Sequence, residues 1–162
     1  MQDYYEPKAG DLAPNFRLQS TRGKNVTLEE FRGKDVILYF YPKDDTPGCT
    51  AEACSFRDHE SDLTKNGAVV LGVSTDSIES HEKFRDKHQL NFPLLSDATA
   101  DIAKMYGVWK EKNLYGRRSW GVARTTFWIG ADGRIRKIYK KVDTAKHAED
   151  ILADMKAARE KK

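Results

Sequence analysis

Tyr39-Phe40-Tyr41-Pro42-Lys43-Asp44-Asp45-Thr46-Pro47-Gly48-Cys49-Thr50-Ala51-Glu52-Ala53-Cys54-Ser55-Phe56-Arg57 decides how the chain is read, and it holds both cysteines. Residues 36–41 form an apolar run that reads as a buried strand. Pro42 ends that strand, because proline brings no N–H for a ladder bond. Residues 43–48 contain two Asp, a Pro and a Gly and read as a turn. From Cys49 the residues are good helix formers without Gly or Pro, so a helix is expected to start there.

Cys49 is thereby placed in or just before a first helical turn, where free N–H groups and a partial positive charge favour an anion. The thiolate is the reactive form of a cysteine. Asp44, Asp45 and Glu52 oppose it, so a cation is needed besides the helix end, and this stretch does not say which. Cys54 lies five residues on. In a straight α-helix that step turns about 500° and separates the two Cα atoms by roughly 8.5 Å, on different sides. A disulfide tolerates at most about 7 Å, so the pair can bond only if the helix locally unwinds. The spacing describes a switch rather than a staple.

Outward from this stretch, 162 residues are enough for one domain with a real core, and residues 1–162 are read as a single domain. Hydrophobic residues at 39% and charged ones at 33% fit an ordinary soluble globular chain. The net charge of +3 is spread along the chain and does not suggest a nucleic-acid surface. Lys161-Lys162 reads as a solvated tail. The beginning, with Asp3, Glu6, Pro7 and Lys8, does not read as a secretory signal, and no apolar run is long enough for a membrane helix. A cytoplasmic chain is expected. Two cysteines in that setting do not read as a structural bridge and point to redox or catalytic thiols before inert core thiols.

Residues 1–13 read as an arm and a loop, 15–18 as a short strand, and 25–28 as its hairpin partner. A short helix over 28–32 stops at Gly33. The helix from Cys49 runs to about Lys65 and is capped by Asn66-Gly67. Residues 68–74 are a second strong strand, and strand, helix, strand implies a parallel pair. Asp76 or Ser77 caps a helix over 78–88, whose core face is thin, with Ile78 and Phe84. A strand at 92–96 and a helix at 98–106 follow. Residues 107–123 carry three Gly, two Trp and four Lys or Arg and read as a long surface loop, either functional or a decorated connection. Residues 125–129 and 135–139 form a hairpin around Asp132-Gly133. In the last helix, from about Thr144, Ala148, Ile151, Leu152 and Met155 make one apolar stripe. The order fits a thioredoxin-like α/β fold, a central mixed sheet flanked by helices, with an N-terminal hairpin extension.

Other chemistries find little support. His59, His81, His88 and His147 show no metal-ligand spacing and read as surface or helix histidines. No Gly-rich phosphate loop occurs, and a C-x-x-C dithiol is absent. On their own, Thr46 reads as a turn or capping residue and Arg124 as a surface charge beside a strand.

The segment Pro42-Lys-Asp-Asp-Thr46-Pro-Gly-Cys49 resembles the active-site motif of the peroxiredoxins, and Arg124-Thr-Thr-Phe127 resembles their distal arginine segment. A second Cys five residues after the first is similar to the bacterioferritin-comigratory-protein, or peroxiredoxin Q, subfamily, and the likeness runs over roughly residues 8 to 157. The resemblance implies a peroxiredoxin-type thioredoxin-like fold and a thiol peroxidase acting on hydrogen peroxide and organic hydroperoxides. It implies Cys49 as peroxidatic thiol and Cys54 as its resolving partner in an intramolecular disulfide. Thr46 and Arg124 would hold the thiolate and the peroxide, and Pro42 would shield the thiol. It further implies recycling by thioredoxin or a similar dithiol, no cofactor or metal, and, because the pair lies in one chain, a monomer. The alternatives are a thioredoxin-fold thiol–disulfide exchange protein and a non-catalytic binding or chaperone module.

Overall fold

The structure is a computed structural model describing residues 6–160; the first five residues of the expected arm and the Lys161-Lys162 tail lie outside the described residues. In chain order the elements are β1 (Arg17–Ser20), β2 (Asn25–Thr27), a 3₁₀ turn (Glu29–Phe31), β3 (Asp35–Phe40), α1 (Pro47–Lys65), β4 (Ala68–Ser74) and α2 (Ile78–His88). They continue with β5 (Leu94–Ser96), α3 (Asp101–Met105), β6 (Trp109–Leu114), β7 (Arg117–Val122), β8 (Thr125–Ile129), β9 (Ile135–Tyr139) and α4 (His147–Glu160).

Seven strands form one mixed sheet in the order β2-β1-β5-β4-β3-β8-β9. β3, β4 and β5 are parallel neighbours, joined through α1 and α2, and the remaining pairs are antiparallel. The apolar run of β3 is explained by burial on both faces. Ile37, Tyr39 and Tyr41 point into one core with Phe56, Trp128, Ile151 and Met155. Val36, Leu38 and Phe40 point into the other, with Phe16, Tyr106 and Phe127. Successive side chains on a strand take opposite faces, so the run supplies both cores at once. Gly72 of β4 pairs with Tyr39 and leaves room for its ring; an added Cβ there would lie 2.9 Å from the ring carbons. α1 and α4 pack on the first face, which puts Cys49 into that core.

Two expectations are revised. Residues 109–122 are a regular antiparallel hairpin, β6–β7, and not a loop. Tyr115 and Gly116 both take positive φ, 54° and 76°, as a tight hairpin turn requires. The strands escape pattern reading because exposed charges stand on both faces, Lys110, Lys112 and Arg117 on one and Glu111 and Arg118 on the other, so apolar alternation never develops. Element ends are also shorter than expected: β5, α3 and α4 begin at Leu94, Asp101 and His147. Among the described residues no helix is long and apolar enough to cross a membrane.

Candidate active site

α1 begins two residues before the expected start: Thr46 is its N-cap and Pro47 its first residue. Proline suits that position, where its fixed φ is helical and its missing N–H is not needed. Cys49 becomes the third residue of the helix and is only 1% exposed. Arg124, from the short segment between β7 and β8, reaches it from the start of β8, which pairs with the end of β3. Its Nη2 donates to Cys49 Sγ at 3.3 Å, and its Nη1 donates to Glu52 Oε1 at 2.5 Å. Glu52 stands three residues after Cys49, on the same helix face, so one planar guanidinium spans both side chains. Gly48 eases the approach, since a Cβ there would lie 3.1 Å from Arg124 Nη2 and push it back by a few tenths of an ångström. Arg124 thus sets a cation beside Cys49.

The three opposing carboxylates are each engaged. Asp44 accepts from Tyr41 and Ser80 and meets His81 Nδ1 at 2.7 Å. Asp45 pairs with Lys87 and His88 at the surface. Glu52 pairs with Arg124 and is fully buried. Burial pushes Glu52 up to about 7, against the pull of Arg124 in the other direction. Its second oxygen, Oε2, and the Tyr39 hydroxyl find no hydrogen-bond partner among the described residues. His147 Nε2 stands 3.9 Å from Oε2, but its close contact is Thr126 Oγ1 at 2.8 Å. Burial and then the Arg124 charge push His147 down to about 4, so this contact is not an ion pair at neutral pH.

The other expected site residues are placed less directly. The Thr46 hydroxyl donates to the Lys43 carbonyl at 3.0 Å, which tightens the loop; its hydrogen bond is not to Cys49. Pro42 is half-buried at the exit of β3. Cys54 is half-buried on α1, and both cysteines are free thiols in an unbroken helix.

All four histidines lie on helices, one of the two placements expected, but His81 and His147 are buried, at 0% and 2% exposure. Although the sequence spacing shows no metal pattern, the fold brings possible ligand atoms of Asp44, Asp76 and His81 within 4.8 Å of one another. Those atoms are engaged in hydrogen bonds. Asp76 Oδ2 accepts from Ser74 Oγ and from the Asp44 N–H, and Asp44 Oδ2 faces His81 Nδ1.

The sequence profile of the AhpC/TSA family matches residues 9–138. The chain belongs to the AhpC/TSA family, in its Bcp/peroxiredoxin Q branch. A putative peroxiredoxin bcp of Coxiella burnetii is 46% identical over 145 residues, 90% of this chain and 96% of that one. Peroxiredoxin Bcp of Bacillus subtilis is 43% identical over 152 residues, 94% of this chain and 97% of that one. Among solved structures, a Cys→Ser variant of Xylella fastidiosa peroxiredoxin Q superposes with a TM-score of 0.90 at 36% identity, covering 96% of this chain and 99% of that one. The bacterioferritin comigratory protein of Xanthomonas campestris, whose structures address alkyl peroxide reduction, gives 0.84 at 39% identity over 88% of this chain and 91% of that one. The central mixed sheet flanked by helices is the thioredoxin-like fold of these peroxiredoxins.

Glu52 and His147 are the residues at this peroxiredoxin site that sequence reasoning missed. Glu52 was legible only as a charge opposing the thiolate. Its burial can be tested by Glu52→Gln, which keeps an oxygen for Arg124 and removes the titration. The folded-state value is raised, from the ordinary 4.5 to about 7, so Glu52's contribution is fully present below pH 4.5 and lost as pH climbs to about 7. The variant should therefore gain on the wild type across that window, by about 3 kcal/mol in total. His147 titrates in the opposite sense in both proteins and cancels in the difference. Urea unfolding at pH 4.5, 6 and 7.5 measures this gain; a difference independent of pH would contradict it.

Proposed function

We propose that this chain is a thiol-dependent peroxidase that reduces hydrogen peroxide and organic hydroperoxides through Cys49. The observation that carries the reading is the Arg124 fork on a buried Cys49 at the start of α1, with Cys54 five residues further along the same helix. Membership in the Bcp/peroxiredoxin Q branch supports it.

In the first step the Cys49 thiolate attacks one oxygen of ROOH. The S–O bond forms, the O–O bond breaks, and the leaving alkoxide takes a proton to become ROH. Arg124 would stabilise the charge that develops on the departing oxygen, and free N–H groups at the helix start would add to this. Thr46, whose hydroxyl can both donate and accept, would leave Lys43 to bind the peroxide, and Pro42 would wall the thiol from water. Low pKa alone would not give speed, because nucleophilicity falls with it, so these contacts carry the rate.

In the second step Cys54 attacks the Cys49 sulfenic acid. The S–S bond forms and water leaves. Since helix geometry separates the two Cα atoms by roughly 8.5 Å, the start of α1 must open first. A dithiol donor such as thioredoxin then reduces the bridge. Sulfur carries both electrons throughout, so the cycle calls for no cofactor or metal. We place the chain in the cytoplasm, as a single-domain monomer, because the resolving thiol lies in the same chain.

Cys54→Ser separates the two steps. It should consume one equivalent of peroxide at the wild-type rate and then stop in the presence of thioredoxin, because no in-chain bridge can form. Stopped-flow peroxide consumption with mass analysis for a Cys49–Cys54 bridge tests the proposal. Steady turnover by Cys54→Ser at the wild-type rate would refute the in-chain bridge.

A further inference from the structure

The loop between β3 and α1 is held from behind by α2. Asp44 is its inner anchor: its carboxylate takes the Tyr41 hydroxyl on Oδ1 at 2.6 Å, and the Ser80 hydroxyl and His81 Nδ1 on Oδ2 at 2.8 and 2.7 Å. The Asp44 N–H donates to Asp76 at 2.7 Å. On its far side, His81 Nε2 meets the Leu95 carbonyl of β5 at 2.9 Å. A carbonyl only accepts, so Nε2 carries a hydrogen, and one further proton lies between Nδ1 and Oδ2. The centre of the set is buried, with the His81 side chain at 0% and Asp44 at 4% exposure, and Ser80 and Asp76 flank it half-buried. The outer anchor, Asp45 to Lys87 and His88, is exposed, and surface pairs contribute little.

This inner anchor sits two residues before Thr46 and five before Cys49, at the segment that must move for the bridge to form. We propose that His81 is a positioning residue: through Asp44 it latches the 43–46 loop to α2 and so sets the balance between the peroxide step, which needs the folded loop, and the bridge-forming step, which needs it open. The proposal rests on the roles of Cys49 and Cys54 given above. Its logic is that a buried, fully satisfied polar set is costly to break, while removal of one member leaves the others without partners. Weakening the latch must therefore favour the open state at the expense of the closed one.

The test is a stopped-flow comparison of wild type, His81→Phe and Tyr41→Phe, followed by tryptophan fluorescence. The peroxide-dependent phase reports the first step and the peroxide-independent phase reports bridge formation. His81→Phe should slow the first phase about tenfold and speed the second several-fold, with the loss of buried hydrogen bonds as the cause. At high peroxide its Cys49 should show less sulfinic acid by mass, because faster bridging removes the sulfenic acid sooner. Tyr41→Phe keeps the ring and removes one donor to Asp44, so it should shift both phases in the same directions by smaller factors; it decides the matter if His81→Phe does not fold. Opposite shifts support the latch. Two unchanged phases, or two that slow together, overturn it, as a merely structural role would predict. If the wild type shows no peroxide-dependent phase, it is the peroxidase reading that fails.

Discussion

Replacing Cys49 by serine should bring peroxide consumption down to that of an ordinary thiol, a loss of about 10⁴-fold or more. A serine hydroxyl does not ionise in the working range and is a poor nucleophile toward an O–O bond. The fold should survive. Serine is slightly smaller than cysteine, and its oxygen would sit where Arg124 Nη2 now donates to Sγ. Cys54 remains in the variant and provides the internal control. It lies in the second turn of α1, and the arginine fork goes to Cys49 and Glu52 instead. Its reaction with peroxide should be that of an ordinary thiol. The comparison thus separates the site from thiol chemistry in general. Stopped-flow consumption on protein verified by far-UV circular dichroism is the measurement; activity near the wild-type level in a folded Cys49→Ser protein would remove Cys49 from the mechanism.

Arg124→Ala should lower the second-order rate with peroxide by about 10²–10³-fold, the scale seen when one preorganised donor to a developing oxyanion is lost. From sequence alone such a change would be expected to leave the fold intact. The structure alters that expectation, because Arg124 also carries the buried Glu52. Without the guanidinium, Glu52 stays protonated well above its present value of about 7. Wild type gives up that proton near neutrality and the variant does not. The variant should therefore lose stability relative to wild type as pH rises beyond 7, by about 1.4 kcal/mol per pH unit until its own carboxyl ionises. Arg124→Lys retains a charge but not the fork, and should recover stability more fully than rate. Rates together with urea unfolding at pH 6, 7, 8 and 9 test both halves. A rate within twofold of wild type would refute the catalytic assignment, and a pH-independent stability difference would refute the Glu52 linkage.

What could be seen in the sequence follows from where each signal is stored. β3, α1 and β4 were legible because local chemistry agrees with the fold. Apolar runs buried on both sides are bounded by Pro42, by the 43–48 turn and by Gly67. Cys49 and Cys54 were legible because their relation is one of helix geometry, internal to a single element. Glu52 was not, because its burial depends on an arginine 72 positions away. Two signals were present and unused. His81 falls between Ile78 and Phe84 at three-residue spacing, the inward face of α2. His147 heads the stripe that continues through Ile151 and Met155 at four-residue spacing. A histidine on an apolar stripe is a buried histidine unless something turns it out. The β6–β7 hairpin left no comparable trace, since a ribbon exposed on both faces has no need of alternation.

The central claim is that one sulfur at the start of α1 takes the oxygen and that the helix must then open for its neighbour to reach it. The most direct measurement treats reduced protein with one equivalent of peroxide and follows far-UV circular dichroism alongside thiol count and peptide mass. The account predicts the loss of both free thiols, a Cys49–Cys54 linked peptide, and a fall in helical signal that develops with the bridge and reverses on reduction. Two thiols that survive peroxide, or a bridge that forms with the helical signal unchanged, would contradict it.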